Sequence, residues 1–285
     1  MLRRYTQTGE KALENTPKMT DDFGEPWYSY DDESIPINKP FNQRRLDGGM
    51  TSHIIKTGES LFYEYIEFGD PKEKFNRSIG STGMPQEYMY KSSKDFKTDI
   101  YEEVDLGREA LIKARNYIKE YKQFAHKGKG LYIYSPSTGS GKTFLSCLVA
   151  NGLIKMHDQS VRFVKSSILL EELKKELSGN KDSSPTNDKL KMLQQAQVLI
   201  IDDFATEKVT DFASAKMYEL ISKRSDLHKV TIITSRKTLD KLKYNAPTVA
   251  AIGRSCIPIL LPDEDIGTKI AYEANKELEK ILTKV

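Results

Sequence analysis

Two cysteines and a single tryptophan stand in a chain of 285 residues. Cys147 and Cys256 lie inside apolar stretches and lack the paired spacing of zinc ligands, so both are expected as small core residues. Long apolar runs are missing as well. Nothing approaches the roughly 20 residues that a membrane-spanning helix needs. The opening MLRRYTQTGEKALEN has no hydrophobic segment behind its arginines, and a cytosolic protein is the expectation. A dominant charge is also absent: 44 Lys and Arg against 41 Asp and Glu leave a formal net charge of +3. Contact with nucleic acid would therefore have to come from a local patch. What is present, 38% hydrophobic and 30% charged residues, suits a globular chain with room for a large core and a smaller N-terminal module.

The chain changes character along its length. Thr20 to Arg45 is acidic and aromatic, carries Pro36 and Pro40, holds no sustained period and reads as an extended segment whose Trp27, Tyr28, Tyr30 and Phe41 could anchor a partner. SHIIKTGESLFYEYIEFG has apolar and aromatic residues on both sides of a Thr57-Gly58 turn, which predicts a β-hairpin over 53–69. Residues 70–100 are polar and punctuated by Gly and Pro. We place the boundary there, with an N-terminal region over 1–84 and the main domain over 85–285. From Asp105 on, GREALIKARNYIKEYKQFA predicts a helix with one buried face. Strands then alternate with helices: GLYIYS, VRFVKS, QVLIIDD, KVTIITS and IPILL, separated by TFLSCLVANGLIKMH, SILLEELKKEL, DFASAKMYELISKR and shorter helices near TLDKLKY and TVAAIGRS. The polar stretch SGNKDSSPTND reads as a loop. Such alternation implies right-handed crossovers and a central parallel sheet flanked by helices. DEDIGTKIAYEANKELEKILTK starts acidic, ends in lysines and predicts a final amphipathic helix.

The chemistry concentrates in YIYSPSTGSGKTFLSC, where a buried strand runs through a Gly-rich turn into a helix, the context a phosphate-binding loop requires. Gly139 and Gly141 let the backbone N–H groups of Ser137 to Phe144 converge on phosphates without obstruction, at the positive end of the following helix. In this reading Ser137, Thr138, Gly139, Ser140, Gly141, Lys142, Thr143 and Phe144 bind ATP. Lys142 reaches the outer phosphates and the Thr143 hydroxyl holds Mg2+. Pro136 stands where the strict pattern has Gly. Further on, VLIIDDFATEK drives a strand through the sheet and delivers Asp202 and Asp203 at its C-terminal edge, where ligands collect. Asp202 is the expected second magnesium residue, and Asp203 the base or orienter of the attacking water.

Together these motifs resemble an AAA+ P-loop core. That resemblance implies a short C-terminal helical lid and a sensor at the end of KVTIITS, where Thr234 or Ser235 stands and Arg236 replaces the usual small polar residue. It also implies an arginine finger at Arg254 that acts in the neighbouring subunit of an oligomer. REALIKARNYIKEY leading into KGLYIYSPSTGSGKTFLSCLVANGLI, LIIDDFATEKVTDFASAKMYELISKR and VTIITSRKTLDKL resemble the DnaC/DnaI-type replicative helicase loaders, with IstB-type transposition helper ATPases as relatives. The likeness covers roughly residues 85–285. It implies an ATPase that places a hexameric helicase on single-stranded DNA, with the N-terminal region contacting the helicase, and a phage or mobile-element origin fits the unusual N-terminal half. A transposition helper and a weakly hydrolysing adaptor or helicase inhibitor are the alternatives. Residues 1–84 lack the cysteines of a zinc-binding N-terminal domain. The lid has Lys269 near the place of the usual sensor arginine. Lys165, Lys174, Lys175 and Lys181 are candidate contacts to DNA.

Overall fold

The computed structural model describes residues 3–6, 19–20, 26–27, 40–46, 50–56, 61–68, 71–177, 192–206 and 209–282. Tyr28, Tyr30, the Thr57-Gly58 turn and the whole of the loop expected at SGNKDSSPTND, Lys181 included, lie outside them, as does the side chain of Lys175. The chain separates into two compact units, Met1–Arg77 and Ser78–Val285.

In the first unit, β1 (Arg3–Thr6), β4 (Pro40–Leu46), β5 (Met50–Lys56) and β6 (Leu61–Phe68) form one antiparallel sheet in the order β1-β6-β5-β4. β2 (Met19–Thr20) and β3 (Pro26–Trp27) pair separately. β5 and β6 run antiparallel in register from Met50↔Phe68 to Lys56↔Phe62, so the aromatics of LFYEYIEF stand on a pleated ladder, the context that β-branched and aromatic residues favour.

The division falls ahead of the 84/85 boundary expected from composition, at α1 (Pro71–Gly80). Composition misses it because the Gly/Pro-rich residues after Gly80 belong to the core: Ile79 and Met84 are buried, and Phe163 N–H donates to Thr82 O along the edge of β8 (Val161–Lys165).

The second unit is built on five parallel strands. β7 (Gly130–Tyr134), β8, β9 (Val198–Phe204), β10 (Val230–Ser235) and β11 (Cys256–Leu260) lie in the order β11-β7-β10-β9-β8. Every residue of β10 is buried, as expected of a strand covered on both faces. Leu199 and Ile201 pack with Val164, Leu169, Leu173, Met217 and Ile252, which come from β8, α5 (Ser166–Leu177), α6 (Asp211–Asp226) and α7 (Ala246–Ser255). Val198 and Ile200, equally buried, alternate onto the opposite face. That face is covered by α2 (Val104–Lys119) and α4 (Lys142–His157).

The long helix expected over 107–125 breaks at Glu120 into α2 and α3 (Tyr121–His126). The break lets Tyr117 stack on Phe124 at 4.8 Å while Tyr117 and Tyr121 are both buried, an aromatic cluster that one straight helix could not close. The final helix, α8, spans Ile266–Leu282. Among the described residues no helix is long and apolar enough to cross a membrane.

Candidate nucleotide-binding site

Strand order makes the site. β10 lies between β7, which feeds the Gly-rich loop, and β9, which carries the paired aspartates, so the loop and the acids open on one crevice at the C-terminal edge of the sheet. Gly139 and Gly141 have φ of +70° and +85°, a left-handed conformation that side-chain-bearing residues rarely adopt. Gly141 is the N-cap of α4, so the helix starts on the loop and aims its free N–H groups into the crevice.

Lys142 folds over this loop. Its Nζ donates to Ser137 O at 2.6 Å and to Ser140 Oγ at 2.9 Å, both neutral oxygens. Burial pushes the ammonium down to about 8, opposed by the Asp203 carboxylate. A buried cation bonded to neutral atoms, beside left-handed glycines and a helix N-terminus, is an arrangement that an anion would complete.

The Thr143 hydroxyl donates to Asp202 Oδ1 at 2.8 Å, and the Thr234 hydroxyl donates to the same oxygen at 2.7 Å. Burial raises the Asp202 carboxyl above its usual range, and these two hydrogen bonds oppose the shift. One hydroxyl and one buried carboxylate form an oxygen-only donor set, which suits Mg2+ shared with substrate phosphates.

Asp203 takes a different environment from its neighbour. It is exposed, sits at φ +57° and donates its N–H to Thr234 Oγ1 at 2.9 Å. The Thr206 hydroxyl donates back to Asp203 O. Thr234 thus fixes both aspartates, holding one by its carboxylate and the other by its backbone. Ser235, the other expected sensor, is buried and donates to Phe204 O at 2.9 Å. Arg236 comes next, with Nε 3.9 Å from Asp203 Oδ1.

Several residues around the loop were not singled out in the sequence. Tyr101 O–H donates to Ser140 O at 3.0 Å. Ser137 donates to Asp263 at 2.6 Å, Ser135 to Pro262 O at 2.8 Å, and Gly267 N–H to Gly139 O at 2.9 Å. Glu264 accepts from the N–H groups of Glu102 and Glu103 at the start of α2. Residues 261–269 therefore clasp the loop from the C-terminal side. The acid run DEDIG at the head of a helix was the available signal. Lys269 is engaged within the clasp, 3.1 Å from Glu102 and 3.3 Å from Glu264. Phe144 packs against Tyr88 and Phe96, with ring centroids 5.2 and 5.8 Å away.

Arg254 lies elsewhere. It is exposed in the last turn of α7, and two residues on, Cys256 pairs with Gly130 at the start of β7. That is the N-terminal edge of the sheet, roughly 16 Å along the strand from the chain's own loop. Lys165 and Lys174 are exposed, and Lys165 stands opposite Asp202 in the β8–β9 register.

A five-stranded parallel core with a phosphate-binding loop, an adjacent acid-tipped strand and a C-terminal helix seated on the loop defines a P-loop nucleotide-binding protein with an AAA+-type fold. Residues 115–246 match the family described as IstB-like ATP binding protein. It is 24% identical over 209 residues to the replicative helicase loader DnaI of Bacillus subtilis, covering 72% of this chain and 64% of that protein. The replicative helicase loader DnaC of Buchnera aphidicola is 25% identical over 158 residues, 55% of this chain and 60% of the relative. Protein XkdC of the phage-like element PBSX of Bacillus subtilis is 25% identical over 221 residues, 74% and 77% of the two chains. The match thus spans less than two thirds of the two loaders' lengths. Among solved structures, that of DnaI superposes with a TM-score of 0.53 at 25% identity, covering 64% of this chain and 96% of that one. The DnaC helicase loader follows at 0.51 and 21% identity, covering 62% and 100%, a likeness of fold.

Proposed function

We propose that this chain is an ATP-hydrolysing helicase loader, which binds a replicative hexameric helicase and helps place it on single-stranded DNA. The observation that carries the ATP part is the convergence of Lys142, Thr143 and Asp202 on one crevice, with Thr143 and Asp202 bonded at 2.8 Å. Lys142 and the loop N–H groups bind the triphosphate, and Thr143 and Asp202 hold Mg2+. When bound, the metal offsets phosphate charge and polarises the outer phosphate. Asp203 accepts a proton from a water whose oxygen bonds the terminal phosphorus, while the bond from that phosphorus to the bridging oxygen breaks and ADP and phosphate leave.

The loader part rests on relatives whose names state that role and on the likeness to the solved DnaI structure. The likeness to XkdC supports a phage or mobile-element setting. The unit Met1–Arg77 is assigned to the helicase, and Lys165 and Lys174, with Lys175 and Lys181, to single-stranded DNA. Arg254 is assigned to a neighbouring subunit's site.

The test mixes the full chain, ATP, the hexameric helicase of the same host and closed circular single-stranded DNA, which has no end to thread. Helicase retained on circles, dependent on ATP and lost with Lys142→Ala, is the expected result. Retention indifferent to the chain overturns the loader reading. Asp203→Asn should keep nucleotide affinity within about twofold and lower turnover by at least 100-fold. Nucleotide binding without turnover in the native chain, under all of these conditions, replaces the enzyme reading by the adaptor one.

A further inference from the structure

The final helix is anchored at one end and uncovered along the rest. Ile266 is buried at its start, where Gly267 N–H donates to Gly139 O at 2.9 Å. From Gly267 to Leu282 every described residue of α8 is exposed. At 3.6 residues per turn, Ile270, Ala271, Ala274, Leu278, Ile281 and Leu282 fall within a sector of about 120° around the axis, and no charged residue shares it. Ile270, Leu278, Ile281 and Leu282 are 54–85% exposed. A continuous apolar stripe left in water, on a helix fixed to a folded core, marks an interaction surface.

Charge narrows what the stripe can meet. α8 holds three lysines and three glutamates, a formal charge of zero. Lys269 is engaged by Glu102 and Glu264, and Lys276 lies 3.2 Å from Glu273 and 4.4 Å from the Tyr272 ring centroid. Nucleic acid or an anionic lipid surface would favour a surplus of lysines, which this helix lacks. Its partner therefore offers apolar surface without net charge. Among the described residues no other helix exposes more than one large hydrophobic side chain, so the stripe that matches α8 is a second α8. Two such helices related by a two-fold axis lie antiparallel, which brings opposite dipole ends together and keeps the two bodies at opposite ends of a helix pair about 25 Å long. Ala274, near the middle of the stripe, lets the two axes approach closely.

We propose that α8 is a self-association surface, through which two copies of this chain pair as a closed dimer by antiparallel contact of their apolar stripes, with Ala274 beside the two-fold axis. This contact is separate from the head-to-tail one assigned to Arg254 at the opposite sheet edge, and it forms without nucleotide. Because α8 is rooted on Gly139, the dimer holds two phosphate-binding loops at the two ends of one helix pair.

The test is sedimentation equilibrium of the full chain without nucleotide, from nanomolar to high micromolar concentration, beside its Leu278→Glu and Tyr272→Glu variants. Thermal melting runs in parallel to confirm that each variant is folded. The unaltered chain should fit a monomer–dimer equilibrium. Leu278→Glu should weaken the dimer at least about 100-fold, since a substitution in a two-fold contact acts twice. Tyr272 is as exposed as the stripe but stands on the other side of α8, and Tyr272→Glu should leave the dimer constant within about threefold. Ala274→Cys should be joined copy to copy by a short bis-maleimide, while the native Cys147 and Cys256, both buried, give no such product. A chain that stays monomeric, a dimer that survives Leu278→Glu, or a dimer in which Ala274→Cys is not joined overturns the inference. So does an open series of larger species, because a two-fold contact closes at two copies.

Discussion

The Lys142 ammonium is charged at a cost, because burial holds its pKa near 8 in the free protein. A bound triphosphate favours the charged form and raises that value. Above pH 8 the complex therefore holds a proton that the free protein has lost, and binding takes one up. Triphosphate affinity should fall about tenfold between pH 7 and pH 9. Calorimetry at pH 8.5 in buffers of different ionisation enthalpy should register the uptake. An affinity that is flat across this range contradicts a charged Lys142 contact. Among the described residues Arg224 is the other buried cation, with a different task. Fully buried, it donates to Thr231 Oγ1 and to the carbonyls of Leu193, Gln194, Ala196 and Val230, which ties α6 and β10 to the segment that enters β9. The sequence places this arginine in ISKR at the end of a helix, where a surface position is the ordinary expectation. Arg224→Met should cost about 3–5 kcal/mol in denaturant unfolding, because it strands buried carbonyls. A loss under 1 kcal/mol would show that the segment repacks without it.

At the scale of elements, the loop is held from three sides: by β7 behind it, by Tyr101 ahead of α2, and by the residues that start α8. Two glycines separate this site from ordinary helix. A Cβ on Gly139 would lie 2.0 Å from Asp265 Oδ1, an oxygen already fixed by accepting from Thr268 N–H, and φ there is +70°. Gly139→Ala should lower stability by about 1–3 kcal/mol and weaken nucleotide binding. Gly253, exposed inside α7, has only Leu239 Cδ1 at 3.9 Å from such a Cβ. There the same substitution should stabilise by about 0.5–1 kcal/mol, since it removes backbone entropy from the unfolded chain. Opposite shifts in the denaturation midpoint check the pair, and equal shifts remove the clasp argument. The period of α8 was readable in the sequence, but its surroundings were not. Ile270, Tyr272 and Leu278 are exposed along it, and a hydrophobic stripe says that a helix is amphipathic without saying what lies against it.

For the whole molecule, the decisive fact is that Arg254 and the loop lie at opposite edges of one sheet. A finger role for Arg254 therefore requires a second copy. Arg254→Ala should leave the nucleotide affinity of dilute protein within twofold, and should lower turnover and flatten its dependence on protein concentration. Normal hydrolysis by the variant at every concentration would remove this assignment.

Much of the fold and the centre of the site could be read from one chain because their signals are local. A strand, a Gly-rich turn and a helix are contiguous at 130–157. Two acids end an apolar run at 202–203, and strands alternate with helices at spacings that only a parallel sheet accommodates. The sequence by itself also determined that Arg254 stands just ahead of the last core strand. Only the tertiary structure decided which side chains share a crevice: that Thr234 holds both aspartates while Ser235 turns to Phe204, that Arg236 meets Asp203, and that Asp263 to Gly267 clasp a loop more than 120 positions earlier. These contacts depend on strand order. An order in which β10 separates β7 from β9 comes from packing two faces of apolar residues at once, a global balance that no local window of sequence contains.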